Sequence, residues 1–235
     1  MRIKRYLFTA FALFTLVGLA SAEQVCTESE YKGRTIKKCR DTGASFSDSF
    51  TDPRDGQTYR TVQIGSQTWM AENLNYRTDD SYCYDDESAN CRKYGRLYTW
   101  NAALNACPSG WHLPSKAEFE TLLKRTGEFV EEEDGIEIYS SGRSLKSTSG
   151  WNDDEGKNGN GTDSYGFSAL PAGGFYDDGV FGLAGYLADF WSAAEGDNSF
   201  AYVMNLYYDN GSAGLNYYGH KGLARSVRCL RDSRL

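Results

Sequence analysis

The chain has 235 residues, a formal net charge of −7 and 25 glycines, 17 tyrosines and only four prolines. That acidity argues against nucleic acid and anionic membrane surfaces as partners, because both recruit basic patches. The glycine and tyrosine content points to a loop-rich, aromatic extracellular domain and away from a helical bundle.

Residues 1–22 read as a secretory signal peptide. Arg2, Lys4 and Arg5 form a positive start, Tyr6 to Leu19 are mostly apolar, and Ala20-Ser21-Ala22 is a small-residue cleavage site. The apolar run is too short for a comfortable membrane span. Loss of this leader takes the net charge from −7 to −10. The expected product is secreted or held on the outer cell surface, with no membrane insertion after cleavage. Export also changes the meaning of the six cysteines, since an even count in an oxidising compartment signals disulfides before metal. Of the 15 possible pairings, spacing favours Cys26–Cys39, Cys83–Cys91 and Cys107–Cys229.

Residues 23–50 are polar and read as a short disulfide-pinned lead segment and linker. A turn follows at Asp52-Pro53-Arg54-Asp55-Gly56. Tyr59–Ile64 and Gln67–Met70, joined by Gly65-Ser66, form an expected β-hairpin with a two-residue turn. Tyr76 to Tyr94 is an acidic loop closed by Cys83–Cys91. Arg96 to Ala106 carries Leu97, Trp100 and Leu104 at helical spacing and is expected to be a short helix.

The central element is the helix after Cys107-Pro-Ser-Gly-Trp-His-Leu-Pro-Ser115. Ser115 and Glu118 have the spacing of a capping box, in which each side chain satisfies the other's backbone N–H. Phe119, Leu122 and Leu123 then form one apolar face, and Gly127 ends the helix. Glu128 to Gly142 is acidic and expected to be exposed. In the last third Phe200, Tyr202, Met204 and Leu206 alternate, Asn210-Gly211 signals a turn, and Leu215 and Tyr217 lie on the next strand. An antiparallel sheet is expected there, its final strand carrying Leu223, Val227 and Cys229.

Two stretches are candidate sites. Residues 152–163 contain no apolar side chain. Asp153, Asp154, Asn158, Asn160 and Asp163 supply hard oxygen ligands, and the interleaved glycines allow a tight wrap, so the loop is a candidate structural calcium site. Asx-Gly turns in solvent explain the same composition. Tyr207, Tyr208, Tyr217 and Tyr218 flank the Asn210-Gly211 turn and are candidate ligand-binding residues, since aromatic rings stack on the C–H faces of sugars. Tyrosine is also simply a good strand former. No Gly-x-Ser-x-Gly elbow, Walker motif or dinucleotide glycine motif is present. His112 beside Trp111 reads as structural. The chain is expected not to be an enzyme.

Several motifs resemble the Fibrobacter succinogenes major paralogous (FISUMP) domain: Gln67-Thr-Trp-Met-Ala-Glu-Asn-Leu74, Tyr94-Gly-Arg-Leu-Tyr-Thr-Trp100, the stretch Cys107 to Ser115, Leu145-Lys-Ser-Thr-Ser-Gly-Trp151, Gly161-Thr-Asp-Ser-Tyr-Gly-Phe-Ser-Ala-Leu-Pro171 and Ser226-Val-Arg-Cys229. They cover residues 51–232 in order. More distantly, Leu113 to Phe119 is similar to part of the formylglycine-generating sulfatase-modifying enzymes. That likeness implies an α+β, C-type-lectin-like domain of two helices, an antiparallel sheet and long loops, stapled by a disulfide from the helix region to the last strand. It does not carry the activity over, because the late part of this chain has only Cys229 where those enzymes need a redox-active pair. The family resemblance implies an exported or surface-attached protein of a fibre-degrading gut bacterium and no known reaction. The reading is a non-catalytic binding module for plant polysaccharide or a surface glycan. The alternative is a structural or protein-interaction domain with a cell-envelope protein as partner, and the third reading is an enzyme of unknown class.

Overall fold

A computed structural model describes residues 24–31, 34–41, 48–176 and 179–233, with side chains over the last two ranges. The chain opens with the antiparallel pair β1 (Gln24–Tyr31) and β2 (Arg34–Asp41), whose register sets Cys26 opposite Cys39. The signal peptide and the Cys26–Cys39 bridge themselves lie outside the described residues and side chains. Then come β3 (Ser49–Thr51), β4 (Thr58–Ile64), β5 (Gln67–Met70), β6 (Ser81–Tyr82), α1 (Ser88–Tyr94), β7 (Leu97–Thr99), α2 (Trp100–Ala103) and β8 (Trp111–His112). The long helix α3 (Lys116–Thr126) is followed by β9 (Phe129–Glu133), β10 (Ile136–Tyr139) and α4 (Gly142–Leu145). The remainder is β11 (Gly174–Phe175), β12 (Phe181–Gly182), β13 (Leu187–Glu195), β14 (Phe200–Tyr207), β15 (Ala213–His220), β16 (Ala224–Ser226) and β17 (Leu230–Arg231).

The main sheet runs β12-β11-β16-β13-β14-β15-β10-β9, with β7 added on β16 and β6 on β7. A second sheet runs β3-β4-β5-β17-β8. Among the described residues the architecture is mostly β, with two multi-strand sheets and four short helices. This corrects the expected α+β C-type-lectin-like fold with two helices. The physical reason is strand pairing won by tertiary partners. Leu97–Thr99, expected inside a helix over Arg96–Ala106, instead pairs antiparallel with Ala224–Ser226, leaving one helical turn at Trp100–Ala103. Glu128 to Gly142, expected only to be exposed, contains a complete hairpin that extends the sheet. The final segment also divides: β16 pairs parallel with β13, while β17 leaves for the second sheet.

Other expectations hold. Gly65-Ser66 joins β4 to β5 with Ile64 opposite Gln67. Ser115 Oγ accepts from Glu118 N at 3.3 Å, and the Glu118 carboxylate accepts from Ser115 N at 2.8 Å. Phe119, Leu122 and Leu123 are buried, and the Gly127 N–H closes on Leu123 O at 2.9 Å. Cys83 is bonded to Cys91, and Cys107 to Cys229.

The main sheet has a core on each side of β13 and β14. Phe190, Met204 and Leu206 pack with Trp69, Phe119 and Phe167, while Trp191 and Val203 pack with Tyr98, Trp111 and Val227. Consecutive residues therefore enter opposite cores, which is why the expected one-faced alternation of β14 is incomplete. Met204 and Leu206 are buried, but Phe200 and Tyr202 are only half-buried beyond a register shift at Ala201/Val203.

Candidate functional site

The tyrosine candidates separate into two groups. Tyr207 ends β14, opposite Leu187, and its ring is exposed. Tyr208 is partly buried against the first core, with its ring edge-on to Tyr186 at 5.0 Å. Tyr217 and Tyr218 are both exposed, 4.6 Å apart, and Tyr217 lies 6.0 Å from Tyr202. Tyr202 and Tyr207 are five residues apart on one strand, about 16 Å at the rise of a β-strand. No single ring platform joins the four.

The Tyr207–Tyr208 end is the better built. Tyr208 N donates to Tyr186 O at 2.9 Å, and Tyr186 N to Leu183 O at 3.0 Å. From beneath, the buried Lys146 ammonium donates to Tyr207 O at 3.0 Å, Tyr208 O at 3.3 Å and Asn210 O at 2.9 Å. Three carbonyls saturate its three N–H groups, so the ammonium works as a staple. Burial lowers its pKa. Leu183 and Tyr186 are also exposed, and the Tyr186 ring lies against Tyr208. Tyr186 and Lys146 escaped the sequence reading, because their separation along the chain hides their meeting with Tyr208 and with the Tyr207 carbonyl.

The acidic loop 152–163 reaches the same end. Asn152 N donates to Gly185 O at 2.8 Å. Gly159 lies so close to Tyr208 O that a Cβ there would come within 2.9 Å. The Tyr208 phenol has a raised pKa, through desolvation first and then the charges of Asp154 and Asp209. The loop's oxygens are largely engaged by its own chain. Asp163 Oδ1 accepts from Ser168 N at 2.7 Å and its other oxygen from the Ser168 hydroxyl. Asn160 Oδ1 accepts from Trp151 N at 3.0 Å, and Asn158 Oδ1 from Asn160 N at 2.8 Å. Asp153 is on the same loop. Among the described residues no group of three or more His, Cys, Asp and Glu is placed to hold a metal ion.

A second feature that no motif announced lies one strand pair away. Asp189 on β13 and Arg225 on β16 are an ion pair with Nε–Oδ2 at 2.9 Å, and both are more than nine-tenths buried. The guanidinium lies over the Trp191 ring at 4.7 Å. Burial raises the Asp189 pKa against the opposing pull of Arg225. The phenols of Tyr176 and Tyr207 both feel this carboxylate. Tyr176 is pushed up to about 12 and Tyr207 upward, by burial first and Asp189 second.

His112 bridges two carboxylates. Nδ1 meets Asp232 Oδ1 at 2.7 Å and Nε2 meets Glu118 Oε1 at 2.9 Å, so both ring nitrogens are held by carboxylates.

The family model described as the Fibrobacter succinogenes major domain matches residues 62–231. The chain belongs to this family. The matched span of the major domain runs from within β4 to β17 and so includes the main sheet, the second sheet apart from β3 and the start of β4, both described disulfides and the whole Tyr207 end. No curated protein and no solved structure matches the chain. Among the described residues of this major domain, no helix is long and apolar enough to cross a membrane.

Proposed function

We propose that the protein is an exported, non-catalytic carbohydrate-binding module of the cell surface. The observation that carries this reading is the exposed Tyr186 ring set edge-on to Tyr208 at 5.0 Å, with the exposed Tyr207 ring on the adjacent residue, all on backbone pinned by Lys146. Such rings bury apolar area against sugar C–H faces while their hydroxyls remain wet. A rigid carrier lowers the ordering cost of binding. The leader-like residues 1–22 and the two disulfides support an oxidising, extracytoplasmic location. Plant polysaccharides are the first ligands to try. Pull-down on insoluble cellulose, xylan and mannan, with affinity electrophoresis on soluble glycans, tests the reading. Retention on at least one is expected, and folded protein that is retained on none overturns it.

A second reading, a protein-interaction domain of the envelope, is favoured by β9. This edge strand is exposed along its whole length and presents Phe129 and Val130. Crosslinking from Val130→Cys to an envelope protein, with glycan binding absent, is the outcome that would select it.

A further inference from the structure

The Asp189–Arg225 pair is incompletely satisfied. Arg225 Nε uses Asp189 Oδ2, yet Oδ1 of the same carboxylate and Nη1 of the same guanidinium have no hydrogen-bond partner and are closed off from water. A buried donor or acceptor left without a partner costs about 1–3 kcal/mol. A purely structural Arg–carboxylate pair avoids that cost by closing as a two-pronged fork. Here one acceptor and one donor are left over on a single ion pair.

Their surroundings belong to the Tyr207 end. Asn205 lies directly opposite Asp189 in the β13–β14 register, and Tyr207 is two residues further along the same strand. Residues two apart on a strand share a face, so Asp189, Asn205 and Tyr207 occupy one side of the sheet. Asn205 lays its amide oxygen over Gly214, where a Cβ would come within 2.3 Å. Only glycine leaves room for that amide. Tyr176 completes the rim, its ring packed over Gly174 and Gly182.

We infer that Asp189 and Arg225 form the polar anchor of a sugar subsite walled by Tyr207, and that it takes a neutral sugar through two adjacent hydroxyl groups. One hydroxyl donates to Asp189 Oδ1, and its neighbour accepts from Arg225 Nη1. The pair is neutral as a unit, so it favours an uncharged ligand. A uronate would bring its carboxylate against that of Asp189, a like-charge contact in a desolvated setting. Because both orphan atoms are shielded, engagement requires a side chain of the rim to swing aside. Tyr207, exposed and two residues beyond Asn205, is the one placed to do so. This inference deepens the carbohydrate-binding reading and rests on it.

The test is calorimetric titration of the full exported chain with cellohexaose, xylohexaose, mannohexaose and hexagalacturonate. At least one neutral hexasaccharide is expected to bind at least tenfold more tightly than hexagalacturonate. The double variant D189L/R225L removes both charges at similar burial, an exchange that buried ion pairs generally tolerate or gain stability from. It is expected to keep its thermal midpoint and lose at least tenfold in affinity for the neutral sugar. D189N, which keeps the shape and removes the charge, is expected to lose affinity as well. A folded double variant that binds as well as the parent overturns the inference while leaving the carbohydrate reading intact, and so does a preference for hexagalacturonate. Should the double variant fail to fold, D189N and the uronate comparison decide. A parent protein that binds no glycan overturns both readings.

Discussion

Arg228 and Asn73 are joined in the interior although 155 residues separate them: Nη2 donates to Asn73 Oδ1 at 2.6 Å and Nε to the same oxygen at 3.2 Å. Nη1 donates to Met70 O at 3.2 Å and also to Phe167 O, and the guanidinium lies over the Phe167 ring at 4.5 Å. One fully buried cation thus ties the end of β5, the 167–168 loop and the last segment of the chain. Burial pulls its pKa down to about 9, which leaves it charged at neutral pH.

Arg228→Met should be strongly destabilising. It removes the charge but leaves several buried acceptors without donors, a loss of about 3–5 kcal/mol. Arg228→Lys should recover only part, because an ammonium lacks the planar fork. Urea unfolding followed by tryptophan fluorescence measures both, and an unchanged midpoint for the Met variant would remove Arg228 from this role.

The two described disulfides should differ in weight. Cys107–Cys229 spans 122 residues and Cys83–Cys91 spans 8. Chain-entropy reasoning gives about 4–5 kcal/mol for the long loop and roughly half that for the short one. Comparing the C107A/C229A and C83A/C91A variants in denaturant tests the ranking. Equal losses would mean that loop length is not what governs their contribution.

A pH-dependent latch joins the start of α3 to the C-terminal end. Burial alone would lower the His112 pKa, but its bonds to Asp232 and Glu118 outweigh this and raise it. The Glu118 pKa is lowered, because bonds from Ser115 and His112 outweigh desolvation. The raised His112 value contributes stability that is complete below its unfolded pKa, about 6.5, and is lost as pH rises through the folded value. The lowered Glu118 value contributes above about 4.3 and is lost as pH falls through its folded value. The latch is therefore strongest between about pH 4.5 and 6.5. His112→Gln should flatten the fall in thermal midpoint above that window, with a loss near pH 5.5 of about 1 kcal/mol or less, since the groups are partly exposed. A variant with the parent's pH profile would show that the latch contributes nothing.

The two tyrosine groups should behave differently in glycan binding. Tyr207→Ala and Tyr186→Ala are expected to weaken retention roughly 3- to 10-fold, the range of one aromatic contact. Tyr217→Ala should leave it unchanged. All three are surface changes and should move stability by about 0.5 kcal/mol or less. Affinity electrophoresis ranks them, and a larger effect at Tyr217 would relocate the site to the β9–β10 side of the sheet.

Local chemistry along the chain was enough to identify α3, its capping box at Ser115 and Glu118, the Gly65-Ser66 hairpin, the Cys83–Cys91 and Cys107–Cys229 bridges and the family. Apart from the Cys107–Cys229 bridge, which spans 122 residues, each depends on residues close in sequence or on a motif with its own spacing. The division of the tyrosines was not visible there. Tyr207, Tyr208, Tyr217 and Tyr218 flank one turn in sequence, but β14 and β15 carry Tyr217 away from Tyr207 as they run antiparallel.

Tertiary structure alone decided the fold class. Leu97–Thr99 has helical spacing in isolation and becomes a strand because Ala224–Ser226 and Ser81–Tyr82 pair with it on either side. Asp189 and Arg225 lie 36 positions apart in unremarkable sequence and meet because β16 runs parallel beside β13. Short-range patterns record which backbone shape each segment prefers. They do not record which distant segment will offer it hydrogen bonds and cover its second face, and in this protein that choice made the sheet and placed its unsatisfied pair.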